Sequence, residues 1–106
     1  MAISIKRESG SEENLFMDLA SGMISGVVEF EYVRKRDGKR RIAQGTINRD
    51  FIPNCGLYEQ RLYDPEGSID IYNHALSEPF HYFDVEVNGI RSFIPDKLIR
   101  VNILNK

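Results

Sequence analysis

Six cations cluster in one short segment of the chain. They are Arg34, Lys35, Arg36, Lys39, Arg40 and Arg41. Asp37-Gly38, which lies between them, is a strong turn signal because both residue types tolerate positive φ. Cations at a hairpin tip can hold phosphate groups, and the planar guanidinium of arginine can donate two parallel hydrogen bonds to one phosphate. The segment therefore predicts a binding site for a nucleotide or nucleic acid. Its candidate contacts are Arg34, Arg36, Arg40 and Arg41.

The alternative is a solvated turn whose charges keep the domain soluble. Asp37 interrupts the cluster, and Glu29 and Glu31 in the preceding segment weaken its field. The formal net charge of -2 argues against a general nucleic-acid binder, although a local patch can exist within an acidic chain. The residues leave both interpretations open.

The five tyrosines are a second set of candidate ligand contacts. Small barrels that bind single strands stack bases on such rings. The five are Tyr32, Tyr58, Tyr63, Tyr72 and Tyr82. Tyr32, however, shares a predicted strand face with Val28 and Phe30, so core packing is the competing use of several of these rings.

Catalytic chemistry finds little support in the residue pattern. Asp84 and Glu86 share one face of a predicted strand, about 7 Å apart by strand rise, and a carboxylate pair can do acid–base work or hold a metal ion. Exposed strand carboxylates are common, however, and we assign no catalytic residue. The single cysteine, Cys55, is not at metal-site spacing with His74 or His81. We therefore predict a non-enzymatic protein without a metal or a cofactor.

Length and composition are those of an ordinary globular domain. The chain has 106 residues, of which 42% are hydrophobic and 28% charged, and this fits one domain. A single cysteine excludes an internal disulfide and favours a reducing compartment. No segment approaches the roughly 20 apolar residues that cross a bilayer, and no signal-peptide core follows Lys6 and Arg7. We predict a cytoplasmic location and no membrane partner.

The elements that must position these residues begin with an arm and a helix. Residues 1–10 are predicted to form a mobile arm, and residues 11–106 a single domain. A helix is predicted over residues 11–23, with Ser9 or Ser11 as its N-cap. The helix carries an apolar stripe at helical spacing, which predicts packing against a sheet. The stripe consists of Leu15, Phe16, Leu19, Ala20 and Met23.

Alternation with a period of two then predicts five short strands. They cover residues 27–32, 40–47, 80–87, 90–95 and 100–104. Asn88-Gly89 predicts a two-residue hairpin turn of the primed type, and Pro95 begins a single helical turn before the last strand. Gly45, inside the second strand, predicts a bulge, a sharp bend or a close backbone approach.

This order of elements predicts a mainly β, α+β fold. It is a small SH3/Sm-like five-stranded barrel over residues 27–104 with one N-terminal helix. A barrel suits strands this short because closure removes exposed edges. Residues 48–79 form an irregular insertion, with a short strand or helical turn predicted near residues 68–76. Long ordered loops on a small barrel often carry function.

The closing hairpin, Tyr82 to Ile94 (YFDVEVNGIRSFI), resembles a known family. It is similar to the closing hairpin of the WYL-like, Sm-like SH3 β-barrel family of many bacteriophage and bacterial proteins. In that family a Tyr-Phe-Asp type strand turns through a glycine and returns with an aromatic-Arg-Ser-Phe type segment. Ile90 stands here where the family often has an aromatic residue. The first hairpin, with its Asp37-Gly38 turn, also fits.

The resemblance implies a binding role, because WYL-type domains of bacterial regulators are thought to sense ligands that include nucleotides or nucleic acid. It places Tyr82, Arg91 and Ser92 near a binding surface. It also implies that the protein is phage-encoded, in which case it acts in the host cytoplasm, for example against a host defence signal.

Two functions are therefore predicted. The first is a non-enzymatic binding protein that recognises a nucleotide-like ligand or nucleic acid. The alternative is a protein-interaction module, either an inhibitor of a host protein or a subunit of a homo-oligomer. In the oligomer, the final strand from Val101 to Leu104 would pair with a neighbouring copy.

Overall fold

A computed structural model describes residues 2–6, 12–63, 67, 69, 71 and 73–104 of the chain. These residues form six strands and two α-helices. The strands are β1 (Ala2–Lys6), β2 (Val28–Val33), β3 (Arg40–Thr46), β4 (Phe80–Asp84), β5 (Gly89–Phe93) and β6 (Leu98–Leu104). The helices are α1 (Glu12–Ser25) and α2 (Glu59–Leu62), and short 3-10 turns lie at Arg49–Phe51, Cys55–Leu57 and Pro95–Lys97.

Helix α1 packs its predicted apolar stripe against the sheet. Leu15, Phe16 and Met23 are all buried, and the helix contacts β2, β3 and β6. The helix ends at Ser25 rather than at residue 23, and the amide of Gly26 donates to the carbonyl of Gly22 at 2.9 Å. Both residues proposed as its N-cap lie outside the described residues. The predicted packing of this helix on the sheet is confirmed.

The six strands form one antiparallel sheet in the order β1-β6-β2-β3-β4-β5. Strands β2 and β5 are three steps apart, which is roughly 14 Å in a flat sheet. The ring centroids of Phe30 on β2 and Phe93 on β5 are nevertheless only 5.1 Å apart. The sheet is therefore strongly curled around an aromatic core. No ladder among the described residues joins β5 to β1 or β6, so the sheet is not closed by hydrogen bonds.

The predicted α+β fold class, with one main helix, is confirmed. The five predicted strands are present, but a sixth joins them, and within the described residues the sheet is not closed into the predicted barrel. The predicted mobile arm at residues 1–10 is wrong for Ala2–Lys6, which form β1 and pair with β6 from Ala2↔Leu104 to Lys6↔Arg100. The sequence AISIK alternates apolar and polar residues, and this signal is visible in the sequence. The added strand covers the edge that β6 would otherwise leave unpaired.

The turn between β4 and β5 differs from the predicted one. A two-residue Asn88-Gly89 turn would pair residue 87 with Ile90, but the ladder pairs Asp84 with Gly89. The turn therefore has four residues, Val85 to Asn88, and β4 ends at Asp84. The amide of Asn88 donates to the Asp84 carbonyl at 2.8 Å, and Asn88 adopts a φ of 60°, which asparagine tolerates better than most residues.

The insertion at residues 48–79 covers the outer side of β4. The helical elements of its described residues are α2 and the two 3-10 turns that precede it, and all three lie upstream of the strand or helical turn predicted near residues 68–76. Residues 68, 70 and 72 lie outside the described residues. The ring of Tyr58 packs against Phe83 with centroids 5.5 Å apart. Because Phe83 on one face of β4 and Tyr82 on the other are both buried, β4 is covered on both sides.

Candidate functional site: a cationic groove beside strand β5

A groove of about 650 Å³ lies between the turn that joins β2 to β3 and the strand β5. Six cations line it: Arg34, Lys35, Arg36, Arg41, Arg61 and Arg91. His81 and Ser92 add polar groups, and Val33, Ile90 and Ile94 are among its apolar lining. No aspartate or glutamate of the part of the chain that the structure describes lines this groove. We refer to it below as the cationic groove.

The sheet register explains why two arginines meet in the groove. In the β2–β3 ladder Arg41 pairs with Tyr32, and in the β4–β5 ladder Arg91 pairs with Tyr82. Because side chains alternate along a strand, Arg41 shares a sheet face with buried Ala43, and Arg91 shares one with buried Phe93. Both arginines therefore lie on the concave face of the curled sheet, where they line the groove.

Arg41 is held by a buried carboxylate. Its Nη2 donates to Oδ2 of Asp84 at 2.5 Å, and the Asp84 side chain is fully buried. Oδ1 of the same carboxylate accepts the backbone amides of Glu86 at 2.9 Å and Val87 at 3.1 Å. Partial burial is the largest single influence on Arg41 and lowers the pKa of its guanidinium. The hydrogen bond to Asp84, together with the electrostatic effects of Tyr32, Tyr82 and Asp84, exceeds it, so the pKa is raised overall. Arg41 is therefore a fixed and largely compensated cation.

The β2–β3 turn carries its own ion pair. Arg34 makes two parallel hydrogen bonds to Asp37, at 3.2 and 2.7 Å, and the amide of Lys39 donates to the same carboxylate at 3.1 Å. Gly38 adopts a φ of 70°, as a turn glycine can. Chiefly because of the Lys39 amide, the pKa of Asp37 is lowered. The turn is thus preformed, and it presents Lys35 and Arg36 to solvent.

The remaining lining cations have no carboxylate partner within the described residues: Lys35, Arg36, Arg61 and Arg91. Arg61 and His81 were not predicted from the sequence. Arg61 stands on the short helix α2, within a segment that shows no periodicity, so no sequence signal pointed to it. Partial burial, and then the charge of Arg61, lower the pKa of His81. Phosphate binding beside His81 would oppose that shift.

The predicted site residues fall into two groups. The groove brings together five of them: Arg34, Arg36, Arg41, Arg91 and Ser92. Arg40 is exposed but does not line the groove, because alternation along β3 turns it away from Arg41. Tyr82 was placed wrongly, since it is fully buried and its hydroxyl lies 3.3 Å from that of Tyr32. Burial raises the pKa of Tyr82 far above its usual range, so the hydroxyl stays protonated.

Gly45 explains how the Tyr82 ring fits inside the sheet. A Cβ atom at Gly45 would lie 2.5 Å from Cδ2 of Tyr82 and 3.1 Å from Cε of Met23. Of the three possibilities predicted for Gly45, the structure therefore shows a close approach, made by a side chain to the bare backbone of β3.

Base stacking on the tyrosines is not supported by the described rings. Tyr32, Tyr63 and Tyr82 are buried, and Tyr58 packs on Phe83. The Tyr63 hydroxyl donates to the carbonyl of Ile47 at 2.7 Å, and burial first of all raises its pKa to about 12. Tyr72 lies outside the described residues. The competing prediction of core packing accounts for the described tyrosines.

The residues considered for catalysis are not arranged as a reactive site. Asp84 is committed to Arg41 and to two backbone amides, whereas Glu86 lies in the exposed β4–β5 turn. Among the described residues, no group of three or more histidines, cysteines or acidic residues is placed to hold a metal ion. Within the same part of the chain, no helix has both the length and the apolar character of a membrane span.

A family model described as WYL_2, Sm-like SH3 beta-barrel fold matches residues 16–99. The chain belongs to this family. The match covers α1 from Phe16 onward and all of β2 to β5, and therefore every residue that lines the cationic groove. The resemblance seen in the closing hairpin is thus confirmed at the level of the family and the fold. No curated protein and no solved structure shows a significant match to the chain.

Proposed function

We propose that this member of the WYL_2 family is a non-enzymatic binding protein that takes the phosphate groups of a nucleotide-like ligand or of nucleic acid in the cationic groove. The observation that carries the proposal is the lining of the groove, with six cations and no carboxylate among the described residues. The Sm-like SH3 fold family is generally non-catalytic, which supports a binding role.

The electrostatics of the groove favour an anionic ligand. Arg61 and Arg91 have no carboxylate partner among the described residues, so a phosphate would supply the missing counter-charge. Arginine forks match phosphate oxygens in pairs, and such contacts strengthen where apolar walls exclude water. Val33, Ile90 and Ile94 provide apolar lining of this kind. A volume of about 650 Å³ is typical of small-ligand pockets.

The groove contacts phosphates rather than reading bases. The two aromatic residues of its lining other than His81 are Tyr32 and Phe93, and both are buried, so they offer no open face for stacking. Phosphate contacts position a ligand but carry little sequence information. We therefore expect binding to depend strongly on salt and weakly on base identity.

The test is a screen of nucleoside mono-, di- and triphosphates, cyclic nucleotides and short oligonucleotides by thermal shift, followed by calorimetry on the positive ligands. We expect Arg91→Ala and Arg61→Ala each to weaken binding about 10-fold, the effect of losing one charge-assisted hydrogen bond. Arg40→Ala is the matched control, because Arg40 is a neighbouring exposed arginine that does not line the groove. It should leave affinity within about 2-fold.

Two outcomes would overturn the proposal. One is the absence of both a thermal shift with any nucleotide and salt-sensitive binding to any oligonucleotide. The other is an equal loss of affinity in the Arg40→Ala and Arg91→Ala proteins, which would show that binding does not depend specifically on the residues that line the groove.

The family resemblance adds a biological setting to this proposal. A phage-encoded protein with such a groove would act by withdrawing a nucleotide signal from the defence of its host. Mass spectrometry of the heat-released contents of protein purified from infected cells tests this. More bound nucleotide is expected with the native chain than with Arg91→Ala, and an empty native protein would contradict the proposal.

A second function is favoured by the free edge of β5. This strand has one ladder partner, β4, among the described residues, and an extended segment of another protein can pair with such an edge. The predicted pairing through the strand from Val101 to Leu104 is less favoured, because β1 pairs along this whole segment and β2 pairs with Val101 and Asn102 on its other edge. Pull-down from host lysate with and without nuclease separates the two functions. A protein captured equally in both arms supports the second, and light scattering then distinguishes a foreign partner from a second copy.

A further inference from the structure

A second depression adjoins the cationic groove at the β2–β3 turn. Its volume is about 340 Å³. It shares Val33, Arg34, Lys35 and Ile94 with the cationic groove. Because these shared residues line both volumes, the two depressions lie next to each other, and Lys35 borders both. Beyond the shared residues the second depression reaches Gly38 and Lys97.

The two depressions differ in charge. The cationic groove has no lining carboxylate among the described residues, whereas the second depression is lined by Asp96 as well as by Lys97. Lys97 is exposed at the end of the 3-10 turn Pro95–Lys97, and no carboxylate within the described residues pairs with it. The cationic groove is therefore the stronger anion site, and the second depression can hold at most a weaker contact.

Because the two depressions adjoin and each is lined by cations, we infer that the ligand is an extended single strand of nucleic acid, which lies across both depressions and places one phosphate at Lys97. The inference rests on the proposed function and narrows its ligand class. A mononucleotide fills only the cationic groove. A longer strand runs past Lys35 and reaches Lys97, so the added affinity depends on chain length.

The shape of the cationic groove favours one strand over a duplex. The β2–β3 turn forms one wall and β5 the other, and consecutive residues Ile90 to Ile94 all line the cationic groove. Because successive side chains of a strand point to opposite faces, five consecutive lining residues show that the groove runs along the edge of β5. A channel of that form follows one backbone, as in proteins that bind single strands through a charged groove.

The experiment measures the affinity of the full chain for 5′-labelled oligothymidylates, from the dinucleotide to the dodecamer, over a series of salt concentrations. We expect affinity to rise with length and then to level off. The slope of log K against log salt should grow by about 0.7 for each additional phosphate held. A duplex of the dodecamer sequence should compete poorly.

Two lysine variants and a control locate the effect. Lys97→Ala should weaken the dodecamer about 3-fold, as expected of one partly exposed ionic contact, and leave the dinucleotide unchanged. Lys35→Ala should weaken both, since Lys35 lines both depressions. Lys39→Ala is the matched control, because Lys39 is an exposed lysine of the same turn that lines neither depression.

The outcomes separate this inference from the proposed function. Dinucleotide binding that does not strengthen with length, or a dodecamer unaffected by Lys97→Ala, would overturn the extended strand and leave the proposed function standing. Equal binding of the duplex would also overturn it. If no oligonucleotide and no nucleotide binds, both fail together.

Discussion

The β2–β3 turn and the β4–β5 turn are each held by one aspartate and one arginine, in very different settings. In the first, Asp37 accepts the Lys39 amide and pairs with Arg34, which lies within the same turn. In the second, Asp84 accepts two amides of its own turn, but its arginine, Arg41, comes from a strand 43 residues away in the chain.

Burial separates the two pairs further. The side chains of Arg34 and Asp37 are each about 30% exposed, whereas Asp84 is completely buried. An exposed local pair contributes little to stability, but a buried carboxylate requires its partner because an unpaired buried charge is costly. The first pair therefore shapes a turn and leaves its neighbours available to a ligand, and the second joins strand β3 to the closing hairpin.

Removal of the buried carboxylate tests this contrast most strongly. Asp84→Ala leaves Arg41 partly buried without its counter-charge and removes the acceptor of two amides. We expect a loss of about 3 kcal/mol in the free energy of unfolding. Urea denaturation measures it. Glu86→Ala, in the same turn but exposed, is the control and should change stability by less than about 0.5 kcal/mol. Similar losses in both variants would show that Asp84 is not the anchor.

Gly45 tests the packing beneath the closing hairpin. An alanine Cβ there would lie 2.5 Å from the fully buried Tyr82 ring, which has no room to move aside. We expect Gly45→Ala to cost about 2 kcal/mol through overpacking. Gly56→Ala is the control, since its Cβ would meet nothing within 4 Å. If thermal unfolding shows no loss of stability in the Gly45→Ala protein, the Tyr82 ring can move aside and the close contact with Gly45 is not a constraint.

The pH dependence of stability and of binding tests the role of His81, which lines the cationic groove. The pKa of His81 in the fold lies below the ordinary value of 6.5, so the unfolded chain binds the proton more readily. The free protein should therefore lose stability as pH falls below about 6.5 toward the folded pKa. A bound phosphate favours protonated His81, so affinity should rise over the same window.

Calorimetry in two buffers of different ionisation enthalpy detects the proton uptake that must accompany this binding. The His81→Gln protein should lose both the uptake and its share of the pH dependence. Uptake that persists unchanged in this variant would assign the proton to another group.

Asp37 is expected to have the smallest effect. Asp37→Ala removes an exposed pair and one amide acceptor from the β2–β3 turn, and should leave the midpoint of thermal unfolding nearly unchanged. It also frees Arg34, so phosphate binding should strengthen slightly. Titration of the variant and the native chain with the same nucleotide measures this. A marked loss of stability would remove the distinction between the two turns.

The local pattern was enough to predict much of this fold. The alternation of Val28, Phe30 and Tyr32 marked a half-buried strand, and the spacing of Leu15, Phe16 and Leu19 marked the packed face of α1. Both signals come from neighbours in sequence, and the structure retains them. The turn after β4 was misjudged because Asp84 competes for its backbone amides, and this competition is decided by burial and by Arg41.

The candidate site was predictable only in part. Arg34, Arg36 and Arg41 were visible as a cluster, and Arg91 and Ser92 through the family resemblance, because these residues lie in hairpins with strong local signals. Arg61 was not, since it reaches the groove from an insertion without periodicity. Tyr82 was predicted to contact a ligand, but strand alternation also allows its side chain to point into the core. The structure shows the second arrangement, in which the ring packs against the backbone of Gly45.

Residue types and their spacing alone determined the helix, the strands from β2 onward, the charged turn and the fold class, because helical and strand periodicity act between near neighbours. The tertiary structure decided the rest. Curling of the sheet sets the β2–β3 turn opposite β5, and contacts between residues far apart in sequence decide which cations are compensated. Arg41 and Arg91 are both strand arginines, but the fold gives only Arg41 a buried carboxylate and leaves Arg91 facing the groove.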